Sequence, residues 1–557
     1  MTKRMNIPFS PPDMTEREVE AVGEVLRSGW ITTGPKTKEL ERRMAQFTHT
    51  KRGACLNSAT ACMETALRLF DIGPGDEVIV PAYTYTASAS VVCHVGATLK
   101  LIDVEKGTYH LDYDALEHAI TDKTKAVIPV DIAGVMVDYD RIRSILESKK
   151  HLFKPASLYQ EALGRVLILA DSAHGYGASR GGLMSGECAD FTSFSFHAVK
   201  SFTTGEGGGL VWRELPGVDD EEIYKNIMLM SLHGQSKDAL AKTKLGAWEY
   251  DIVAPLYKCN MTDIVASIGL VQMDRYPGLL ARRRQIIGMY NEGIQAPDIE
   301  YLQHYTDEYT SSGHLYLVRL MGKDTQARND FITKMAEAGI ATNVHFKPLP
   351  MHTAYKKLGF DISDYPASYE MYHNEVTLPL HTNLTDEQVL EAASESQEKL
   401  HIAKSKSGIV VKGVHDVAVR FSKCCSPIPG DEIVGFVTRG RGITIHRTDC
   451  VNVLNMPEID RKRFIEAEWQ MPDRADSEKY EAEIQVYANN RTGLLVDISK
   501  IFTERKIDLR SINSRTNKQE RATISMSFNV CSKQELNSLI EKIRQVESVL
   551  DVERTTG

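Results

Sequence analysis

One lysine of this 557-residue chain has the surroundings that covalent chemistry on an aldehyde requires. Lys200 follows the apolar run Phe191–Phe196 and precedes the glycine-rich segment Gly205–Gly209. An amine that attacks an aldehyde must first lose its proton, and burial at a rigid strand end lowers the pKa of a lysine. Ser195 can donate its hydroxyl proton to a phosphate, and the glycines let the backbone approach a bound group closely. The alternatives are a surface lysine and a dinucleotide fingerprint, which lacks its expected helix.

A carboxylate and an imidazole follow another apolar strand. Asp171 comes directly after the run Val166–Ala170, and His174 lies three residues further on. A pyridine ring withdraws electrons from a substrate carbon only while its nitrogen is protonated, and a neighbouring carboxylate keeps it protonated. We therefore predict that Asp171 contacts the ring nitrogen of a pyridine cofactor. His174 would contact the phenolic oxygen of that ring or stack beside it. The alternatives are a helix cap for Asp171 and a structural histidine.

Two further places could hold the same cofactor. Thr60 and Ala61 lie between a short strand and an apolar helix, where free N–H groups at a helix N-terminus bind anions. They are therefore phosphate candidates, and a simple N-cap by Ser58 is an alternative compatible with that role. Tyr85 lies just past a strand end and could stack on a pyridine ring. Taken alone, Tyr85 would be assigned to the core.

The elements that must position these residues alternate between strands and helices. A capping box of Thr15 with Glu18 predicts a helix that runs to Arg27. Helical stretches then separate several short apolar runs, an α/β order that indicates a mostly parallel sheet covered on both faces. These runs are Glu77–Val80, Leu99–Asp103, Ala126–Val130, Val166–Ala170 and Phe191–Phe196.

Changes of pattern divide the chain into five parts. We expect a large domain over residues 1–275, a smaller α+β lobe over 276–402, a polar linker over 403–408, a small strand-rich domain over 409–470 and a last domain over 480–557. The last domain shows the order βαββαβ, which is the split βαβ arrangement of ferredoxin-like folds. Its strands are expected at 481–488, 509–515, 521–530 and 549–554, and its helices at 493–505 and 533–546.

The bulk composition is that of a globular protein with several domains. Apolar residues make up 42% and charged residues 25% of the chain, and neither value indicates long disorder. The sequence shows no secretion signal and no run of about eighteen apolar residues, so we expect no membrane span and a cytoplasmic protein. The nine scattered cysteines fit a reducing compartment. The net charge of −9 hides a slightly basic tail, which is too weak to indicate nucleic-acid binding.

Four motifs together resemble the DegT/StrS family of nucleotide-sugar aminotransferases: Ser28–Pro35, Gly75–Pro81, the Lys200 segment and Val344–Phe346. The resemblance extends over residues 5–402 and implies the fold type I fold of pyridoxal 5'-phosphate (PLP) enzymes. It also implies a homodimer with active sites at the subunit interface. The reaction would carry an amino group, usually from glutamate, to a keto-sugar linked to a nucleotide.

The same resemblance implies a role for each candidate residue. The catalytic pair would be Lys200, as the Schiff-base lysine, and Asp171, at the ring nitrogen. The other implied roles are His174 on the phenolate side, Tyr85 stacked on the ring, Thr60, Ala61 and Ser195 at the phosphate, Asn260 at the phosphate of the partner subunit's cofactor, and His345 near the sugar.

Residues 404–557 resemble a different family, the RelA/SpoT alarmone synthetases and hydrolases, in its C-terminal regulatory region. Residues 412–431 and 438–450 carry the likeness, and the βαββαβ unit with Asn490–Leu495 resembles that family's ACT domain. The resemblance implies amino-acid binding and self-pairing by the ACT domain, and contact with tRNA or the ribosome as a secondary property. Nothing in the sequence resembles the catalytic halves of that family, so alarmone turnover is not predicted.

Three cysteines and a histidine cluster in this tail: Cys424, Cys425, His446 and Cys450. Thiolate and imidazole are the usual ligands of structural zinc. Adjacent cysteines, however, are not the spaced pair that chelation prefers. We therefore assign no metal at this stage, favour a packed, metal-free cluster, and keep the four residues as zinc candidates.

Three functions compete at this point. The first is PLP-dependent transamination of a nucleotide-linked keto-sugar, with the tail as an appendage that senses amino acids or RNA or promotes dimerisation. The second is PLP-dependent sugar dehydration, for which some relatives replace the lysine with histidine, so Lys200 favours transamination. The third is a regulatory protein that binds tRNA or amino acids and retains a vestigial PLP lobe. The joint presence of Lys200, Asp171 and Ser195 argues against this last function.

Overall fold

The computed structural model describes residues 6–236, 249–400, 409–411, 419–438, 442–461, 463–469 and 479–555. The chain forms two compact units that divide at residues 401/402. The expected linker over 403–408 lies outside the described residues. A helix needs about 20 apolar residues to cross a bilayer, and none of the helices in the described ranges meets that requirement.

The first helix begins where its capping box predicts. Helix α1 spans Glu16–Ser28, and the Thr15 N–H donates to Oε2 of Glu18 at 2.8 Å to close the box. Gly29 ends the helix with a φ of 72°, a left-handed conformation that glycine adopts without steric cost. The predicted helix is confirmed, with its end one residue beyond Arg27.

A mixed sheet forms the centre of the first unit. Among the described residues it contains seven strands in the order β1-β9-β8-β5-β4-β2-β3. Strand β9 runs antiparallel to both of its neighbours, and every other adjacent pair is parallel. The strands of this unit are β1 Gly53–Leu56, β2 Glu77–Pro81, β3 Thr98–Ile102, β4 Thr124–Val127, β5 Leu167–Asp171, β6 Ser179–Arg180, β7 Leu183–Met184, β8 Phe191–Ser195, β9 Gly208–Trp212, β10 Ile299–Tyr301, β11 Tyr309–Thr310, β12 Tyr316–Leu320 and β13 Glu375–Leu378.

The predicted apolar runs form strands of this sheet. Apolar side chains are accommodated on both faces because helices cover both faces. All five residues of β5 and of β9 are buried, as a sheet with no solvent-facing side requires. Beyond α1, the helices of this unit are α2 Pro35–Phe47, α3 Ala59–Leu69, α4 Thr86–His94, α5 Tyr113–Ala119, α6 Tyr139–Ser148, α7 Leu158–Leu163, α8 Ser185–Cys188, α9 Asp220–Ser231, α10 Asp263–Gly293, α11 Thr325–Glu337, α12 Thr353–Lys357, α13 Pro366–His373 and α14 Asp386–Leu400.

Helix α10 joins the large domain to the smaller lobe. It is 31 residues long, so the expected boundary after residue 275 falls inside a helix and not between two elements. Asp274 forms an ion pair with Arg17 of α1, whereas Arg282 pairs with Asp386 of α14. One continuous helix therefore packs against both parts, which a boundary drawn from changes of composition could not show.

The smaller lobe contains an antiparallel sheet in the order β10-β12-β13. Its core includes Tyr290 of α10, whose ring stacks on Tyr316 of β12 with centroids 4.6 Å apart. A short antiparallel sheet of β11, β6 and β7 links this lobe to the large domain. The α/β fold with a second α+β lobe is confirmed.

The second unit contains two sheets. In the described part of the chain, a five-stranded sheet has the order β14-β18-β16-β17-β15, and a four-stranded antiparallel sheet has the order β20-β21-β19-β22. The second sheet and its two helices match the predicted βαββαβ elements to within two residues at each end. The elements are β14 Ile409–Val411, β15 Val419–Phe421, β16 Ile433–Thr438, β17 Gly442–Arg447, α15 Val451–Leu454, α16 Glu458–Arg461, β18 Phe464–Trp469, β19 Tyr480–Asn489, α17 Leu494–Glu504, β20 Leu509–Thr516, β21 Arg521–Val530, α18 Lys533–Arg544 and β22 Val549–Arg554.

Arg554, which is half-buried, makes several of the polar contacts between the two sheets of the second unit. The Arg554 guanidinium donates to Oδ1 of Asp431 and to the carbonyl of Ser426, both at 2.8 Å. Ile428 is fully buried within the core of the βαββαβ domain. The loop after the adjacent cysteines therefore contributes to the core of the neighbouring domain.

Candidate active site

A cavity of about 430 Å³ lies at the carboxyl ends of the parallel strands, the sheet edge where open α/β folds bind ligands. Asp171 is the last residue of β5, and Ser195 is the last residue of β8. Seven of the nine candidate site residues line this cavity: Thr60, Tyr85, Asp171, His174, Ser195, Lys200 and His345. The other two, Ala61 and Asn260, do not.

Asp171 is buried and held by two donors. Its Oδ2 accepts a hydrogen bond of 2.6 Å from Ser88, and its Oδ1 accepts one of 3.2 Å from the Ala173 N–H. Burial raises the pKa of Asp171, while these hydrogen bonds and the charge of Lys200 oppose the rise. These two hydrogen bonds fix the orientation of the carboxyl group. It can then stabilise a proton on a group bound in the cavity.

Lys200 follows β8 at the edge of the same cavity. Burial lowers the pKa of its amine to about 8, and the charge of Asp171 opposes the fall. The Lys200 N–H donates to the His197 carbonyl at 2.9 Å, which fixes the backbone of the turn. A substantial fraction of the amine is therefore neutral under mildly alkaline conditions, as nucleophilic attack requires.

Hydroxyl groups and a close backbone contact form one end of the cavity. Ser58 caps α3, and its Oγ accepts the Ala61 N–H at 3.1 Å. Ser58 therefore forms the N-cap considered for it, which is compatible with a phosphate site at this helix start. Thr60 and Ser195 do line the cavity. A Cβ on Gly208 would lie 2.3 Å from the Ser58 carbonyl carbon, so only glycine lets β9 approach this helix start.

His174 is a neutral imidazole whose tautomer is set by the backbone. Its Nδ1 accepts the Ala133 N–H at 3.1 Å, so the ring proton lies on Nε2 and His174 can donate a hydrogen bond into the cavity. Burial lowers the pKa of His174 well below its usual value. The ring stacks at 5.9 Å from Phe346 and lies 4.3 Å from the ring of His314.

His345 and Tyr85 also line the cavity. The His345 ring stacks on Phe9 with centroids 5.6 Å apart and meets Phe346 edge to face at 4.9 Å. Burial lowers the pKa of His345 to about 4, and the charge of Lys200 adds to the effect. Tyr85 is 60% exposed and lies 5.8 Å from the Phe346 ring, so the core assignment considered for it is wrong.

Asn260 lies apart from the cavity of its own chain. Its amide nitrogen donates to Oγ1 of Thr33 at 2.5 Å and to the Met261 carbonyl at 3.3 Å. Backbone bridging of Asn260 to Leu56 holds this segment beside β1. Contact with a cofactor phosphate would therefore have to be made across a subunit interface.

The sequence analysis did not identify three residues that line the cavity or hydrogen-bond to a residue that does: Ser88, Asp131 and His314. Asp131 lines the cavity and accepts from Ser172 at 2.6 Å, and burial raises its pKa to about 7. It follows a predicted apolar run just as Asp171 does, and that signal could have found it. Ser88 lies inside an apolar helix and His314 belongs to the smaller lobe, so neither carried a local signal.

These residues fit PLP. A buried, partly neutral amine suits an aldehyde, and a buried carboxyl group suits the ring nitrogen. Hydroxyls at the start of α3 and the end of β8 suit a phosphate, and the Nε2–H of His174 suits a phenolic oxygen. The donor set therefore matches each functional group of the cofactor.

The four zinc candidates of the tail lie together. Their ligand atoms are all within 4.8 Å of one another, with 3.5 Å from the Cys424 sulfur both to the Cys450 sulfur and to Nδ1 of His446, and 3.9 Å from the Cys425 sulfur to that nitrogen. A tetrahedral zinc with bonds of about 2.0–2.3 Å places its ligands roughly 3.3–3.8 Å apart. The two separations of 3.5 Å fall within that range, and the four residues stay zinc candidates beside the metal-free cluster.

Comparison with known proteins agrees with this site. The sequence profile of the DegT/DnrJ/EryC1/StrS aminotransferase family matches residues 12–395, that of the RelA/SpoT RIS domain matches 409–470, and that of the ACT domain matches 476–554. The spore coat polysaccharide biosynthesis protein SpsC of Bacillus subtilis is 34% identical over 387 residues, which cover 69% of this chain and 94% of SpsC.

Solved structures show the same likeness. Spr1654 from Streptococcus pneumoniae, described as a sugar aminotransferase and solved in its PMP form, is 56% identical with a TM-score of 0.69; the match covers 71% of this chain and all of that one. Helicobacter pylori PseC, an aminotransferase of pseudoaminic acid biosynthesis, is 26% identical with a TM-score of 0.63; the match covers 71% of this chain and 99% of PseC.

Fold, site and relatives define a PLP-dependent aminotransferase of fold type I. The chain belongs to the DegT/DnrJ/EryC1/StrS aminotransferase family and carries RIS and ACT domains after it. Its family and relatives place it among the sugar aminotransferases, which serve amino-sugar biosynthesis by transamination.

Proposed function

We propose that this enzyme transfers the amino group of glutamate to a keto-sugar carried on a nucleotide. The resemblance of its motifs to the DegT/StrS family supports the nucleotide and the donor, and relatives such as SpsC and PseC support a sugar acceptor. The observation that carries the proposal is that Lys200 and Asp171 line one cavity and interact electrostatically there.

Each of these cavity residues has a separate role in the proposed reaction. Bound PLP supplies an electron sink for the electrons released at the substrate carbon. Asp171 would hold a proton on the ring nitrogen, and the Nε2–H of His174 would donate to the phenolic oxygen. Thr60 and Ser195 would donate to the phosphate. Lys200 would hold the cofactor, and its Nζ would take a proton from the donor's Cα and return one to the sugar carbon.

The sugar would meet the wall formed by the smaller lobe. His345 and Phe346 line the cavity opposite the strand ends, and Phe9 supports the imidazole face. An apolar wall with one imidazole restrains a ring through contact area while fixing one hydroxyl or carbonyl oxygen. Tyr85 would stack on the cofactor ring, and because Tyr85 is exposed, its own ring is free to make that contact.

We also propose that the enzyme acts as a homodimer. Exposed apolar side chains cluster just before Asn260, namely Tyr250, Ile252, Val253 and Tyr257. Contiguous exposed apolar residues indicate a protein interface. Such an interface would carry Asn260 to the phosphate of the partner's cofactor.

The tail is proposed to be a sensing or dimerising appendage that responds to an amino acid or to RNA. Matches to RIS and ACT domains support this role, and Arg554 couples the two domains through Asp431. The full chain should change its sugar-aminotransferase rate, or its state of association, when amino acids or tRNA are added. A chain ended after residue 402 should not respond.

Free thiols at the described cysteines support a reducing compartment for the enzyme. All nine are unpaired, including buried Cys55, Cys62 and Cys188. Disulfides form and persist mainly in oxidising compartments. We therefore place the enzyme in the cytoplasm, and a fluorescent fusion compared with a secreted marker tests this placement.

The decisive experiment incubates purified protein with glutamate and a panel of nucleotide-linked keto-sugars, read by mass spectrometry. An amino-sugar nucleotide should appear with the original protein and with Lys357→Ala, which removes an exposed lysine of α12. Lys200→Ala should give no product and should lack the visible absorption of covalently held PLP. Loss of water from the sugar without an amino product would overturn the proposal in favour of a dehydratase.

A further inference from the structure

A hydrogen-bonded chain connects the imidazole of His345 to a carboxyl group outside the cavity. Nδ1 of His345 lies 2.9 Å from Oγ1 of Thr377, and that hydroxyl lies 2.7 Å from Oε1 of Glu375. The other carboxyl oxygen, Oε2, accepts the backbone N–H of His345 at 2.9 Å. Glu375 and Thr377 are fully buried. The ring nitrogen left for the cavity is Nε2.

The chain can run in only two directions. A threonine hydroxyl has one proton, so Thr377 can donate to only one of its two partners and must accept from the other. An ionised Glu375 can only accept, so Thr377 donates to it and the ring proton of His345 lies on Nδ1. A protonated Glu375 donates to Thr377, which then donates to Nδ1, and the ring proton lies on Nε2.

We propose that Glu375 is a positioning residue that sets, through Thr377, the tautomer of His345 and thereby what this imidazole offers the sugar. An ionised Glu375 leaves Nε2 as a hydrogen-bond acceptor for a sugar hydroxyl. A protonated Glu375 makes Nε2–H a donor for a carbonyl or ether oxygen. The inference rests on the proposed function, because that function places the sugar against His345.

The surroundings of Glu375 allow both protonation states. Burial raises its pKa to about 8, opposed by Thr377, by the His345 N–H and by the charge of Arg328. Arg328 of α11 donates to the Glu375 carbonyl at 3.1 Å, so its cation lies near the carboxyl group. Tyr83 and Tyr109 also lie near this carboxyl group, and burial raises the pKa of both, which keeps them neutral.

Two outer groups complete the charges around this chain. Arg319 of β12 lies opposite Glu375 in the backbone register of the sheet, and its guanidinium donates to Asn374 at 3.1 Å. Its ion pairs are with Glu300 at 3.7 Å and Glu370 at 3.9 Å. Lys200 faces His345 from the cavity and lowers the pKa of the imidazole. His345 therefore remains neutral over the range in which Glu375 ionises, and its tautomer alone changes.

Glu375→Gln fixes one direction of the chain. The His345 N–H still needs an acceptor, so the amide oxygen takes the place of Oε2 and the NH2 group takes the place of Oε1. The amide then donates to Thr377, which donates to Nδ1 at every pH. The variant should hold His345 in the Nε2–H form, with a side chain of almost unchanged shape.

The test is nitrogen NMR of the PLP-loaded full chain, labelled with 15N histidine and assigned by the signal missing in His345→Asn. Original protein should show Nε2–H at about pH 6 and Nδ1–H at about pH 9.5, with a midpoint near the Glu375 pKa of about 8. Glu375→Gln should show Nε2–H at both values. Identical tautomers in the two proteins at the higher pH would overturn the proposal.

A second pair of variants separates the relay from simple packing. Thr377→Ser keeps a hydroxyl and should keep the tautomer change, whereas Thr377→Val keeps the shape and should abolish it. A change that persists in Thr377→Val would overturn the relay. No sugar is present in these measurements, so they succeed or fail independently of the nucleotide-sugar assay.

Discussion

Ser88 donates a hydrogen bond of 2.6 Å to Oδ2 of Asp171 from within helix α4. The same hydroxyl lies 2.8 Å from Oγ1 of Thr84, so the pair links the end of β2 to the end of β5. Because Asp171 is buried, this bond is one of few interactions that favour its charged form. A residue without contact to the cofactor thus supports the charge on which the proposed electron sink depends.

Ser88→Ala should lower kcat/KM about tenfold or more, because a hydrogen bond to a charged group contributes about 1.5–3 kcal/mol. Without it the pKa of Asp171 rises further, and a neutral carboxyl group cannot hold the ring proton. Steady-state kinetics measure the effect. Ser90→Ala is the matched control, since Ser90 of the same helix bonds only to the Ala87 carbonyl. Equal rates in both variants would contradict the role given to Ser88.

Attachment of PLP to the cofactor-free protein should accelerate with rising pH and level off above about 8. Only the neutral amine of Lys200 attacks the aldehyde, and its neutral fraction grows as the pH passes its pKa of about 8. Asp171→Asn should move the midpoint to lower pH, because the negative charge that favours the protonated amine is removed. Stopped-flow absorbance gives both midpoints; a midpoint near that of free lysine would refute the assigned pKa.

Gly208→Ala should weaken PLP binding and destabilise the protein by about 1–3 kcal/mol, a typical cost of overpacking. The new Cβ would lie 2.3 Å from the Ser58 carbonyl carbon and 2.4 Å from the Ala59 nitrogen, so the start of α3 must move. Gly278→Ala is the control, since nothing lies within 4 Å of its Cβ. It should be neutral or stabilising. Thermal melts with and without PLP separate the two effects.

The ion pair of Arg165 with Asp190 should be costly to break. Two parallel bonds of 2.7 Å join them, and the side chains are 7% and 6% exposed. Asp190→Ala removes the bidentate partner of a buried cation and leaves it the ion pair with Glu147 at 3.3 Å. Breaking a buried pair of this kind costs about 3–5 kcal/mol. The exposed pair of Arg42 with Glu39 is the control, and Glu39→Ala should cost less than about 1 kcal/mol. Urea unfolding measures both changes, and similar values for the two would contradict this ranking.

We propose that the cysteine and histidine cluster of the tail binds one zinc ion per chain. Cys450→Ser should lose most of the metal, as measured by elemental analysis, and should lower the melting temperature of the second unit, because zinc binding contributes to folding. Cys531→Ser, an exposed cysteine of the same unit, should retain the metal. If the original protein, purified without chelator, contains no metal, the packed, metal-free cluster favoured in the sequence analysis is correct.

Local patterns predicted the elements and the two central groups of the site. The βαββαβ strands and helices were predictable because alternation and helical periodicity each recur over whole elements. Lys200 and Asp171 were predictable because both follow apolar runs that could only be strands of a covered sheet. The boundary inside α10 was not, because an amphipathic helix gives no sign of which lobe each turn will contact.

Residues that reach the cavity only through tertiary packing could not be predicted from the sequence. His314 reaches the cavity through the buried Arg283, which donates at 3.1 Å to the carbonyls of Gly313 and Leu380 and so fixes a loop of the smaller lobe. Nothing near His314 in the chain indicates this. The phosphate role of Ala61 stays a prediction, since its N–H donates to the N-cap Ser58 and that cap is compatible with anion binding at the same helix start.

The cavity is built from two sources, strand ends of the large domain on one side and loops of the smaller lobe on the other. His314, His345 and Phe346 come from a single stretch of chain, whereas the amine and carboxylate come from β8 and β5. The residues proposed to contact the sugar acceptor and the residues proposed to support electron withdrawal are therefore encoded in separate portions of the gene. Recombination between relatives could exchange one portion for another while the reaction itself is inherited intact.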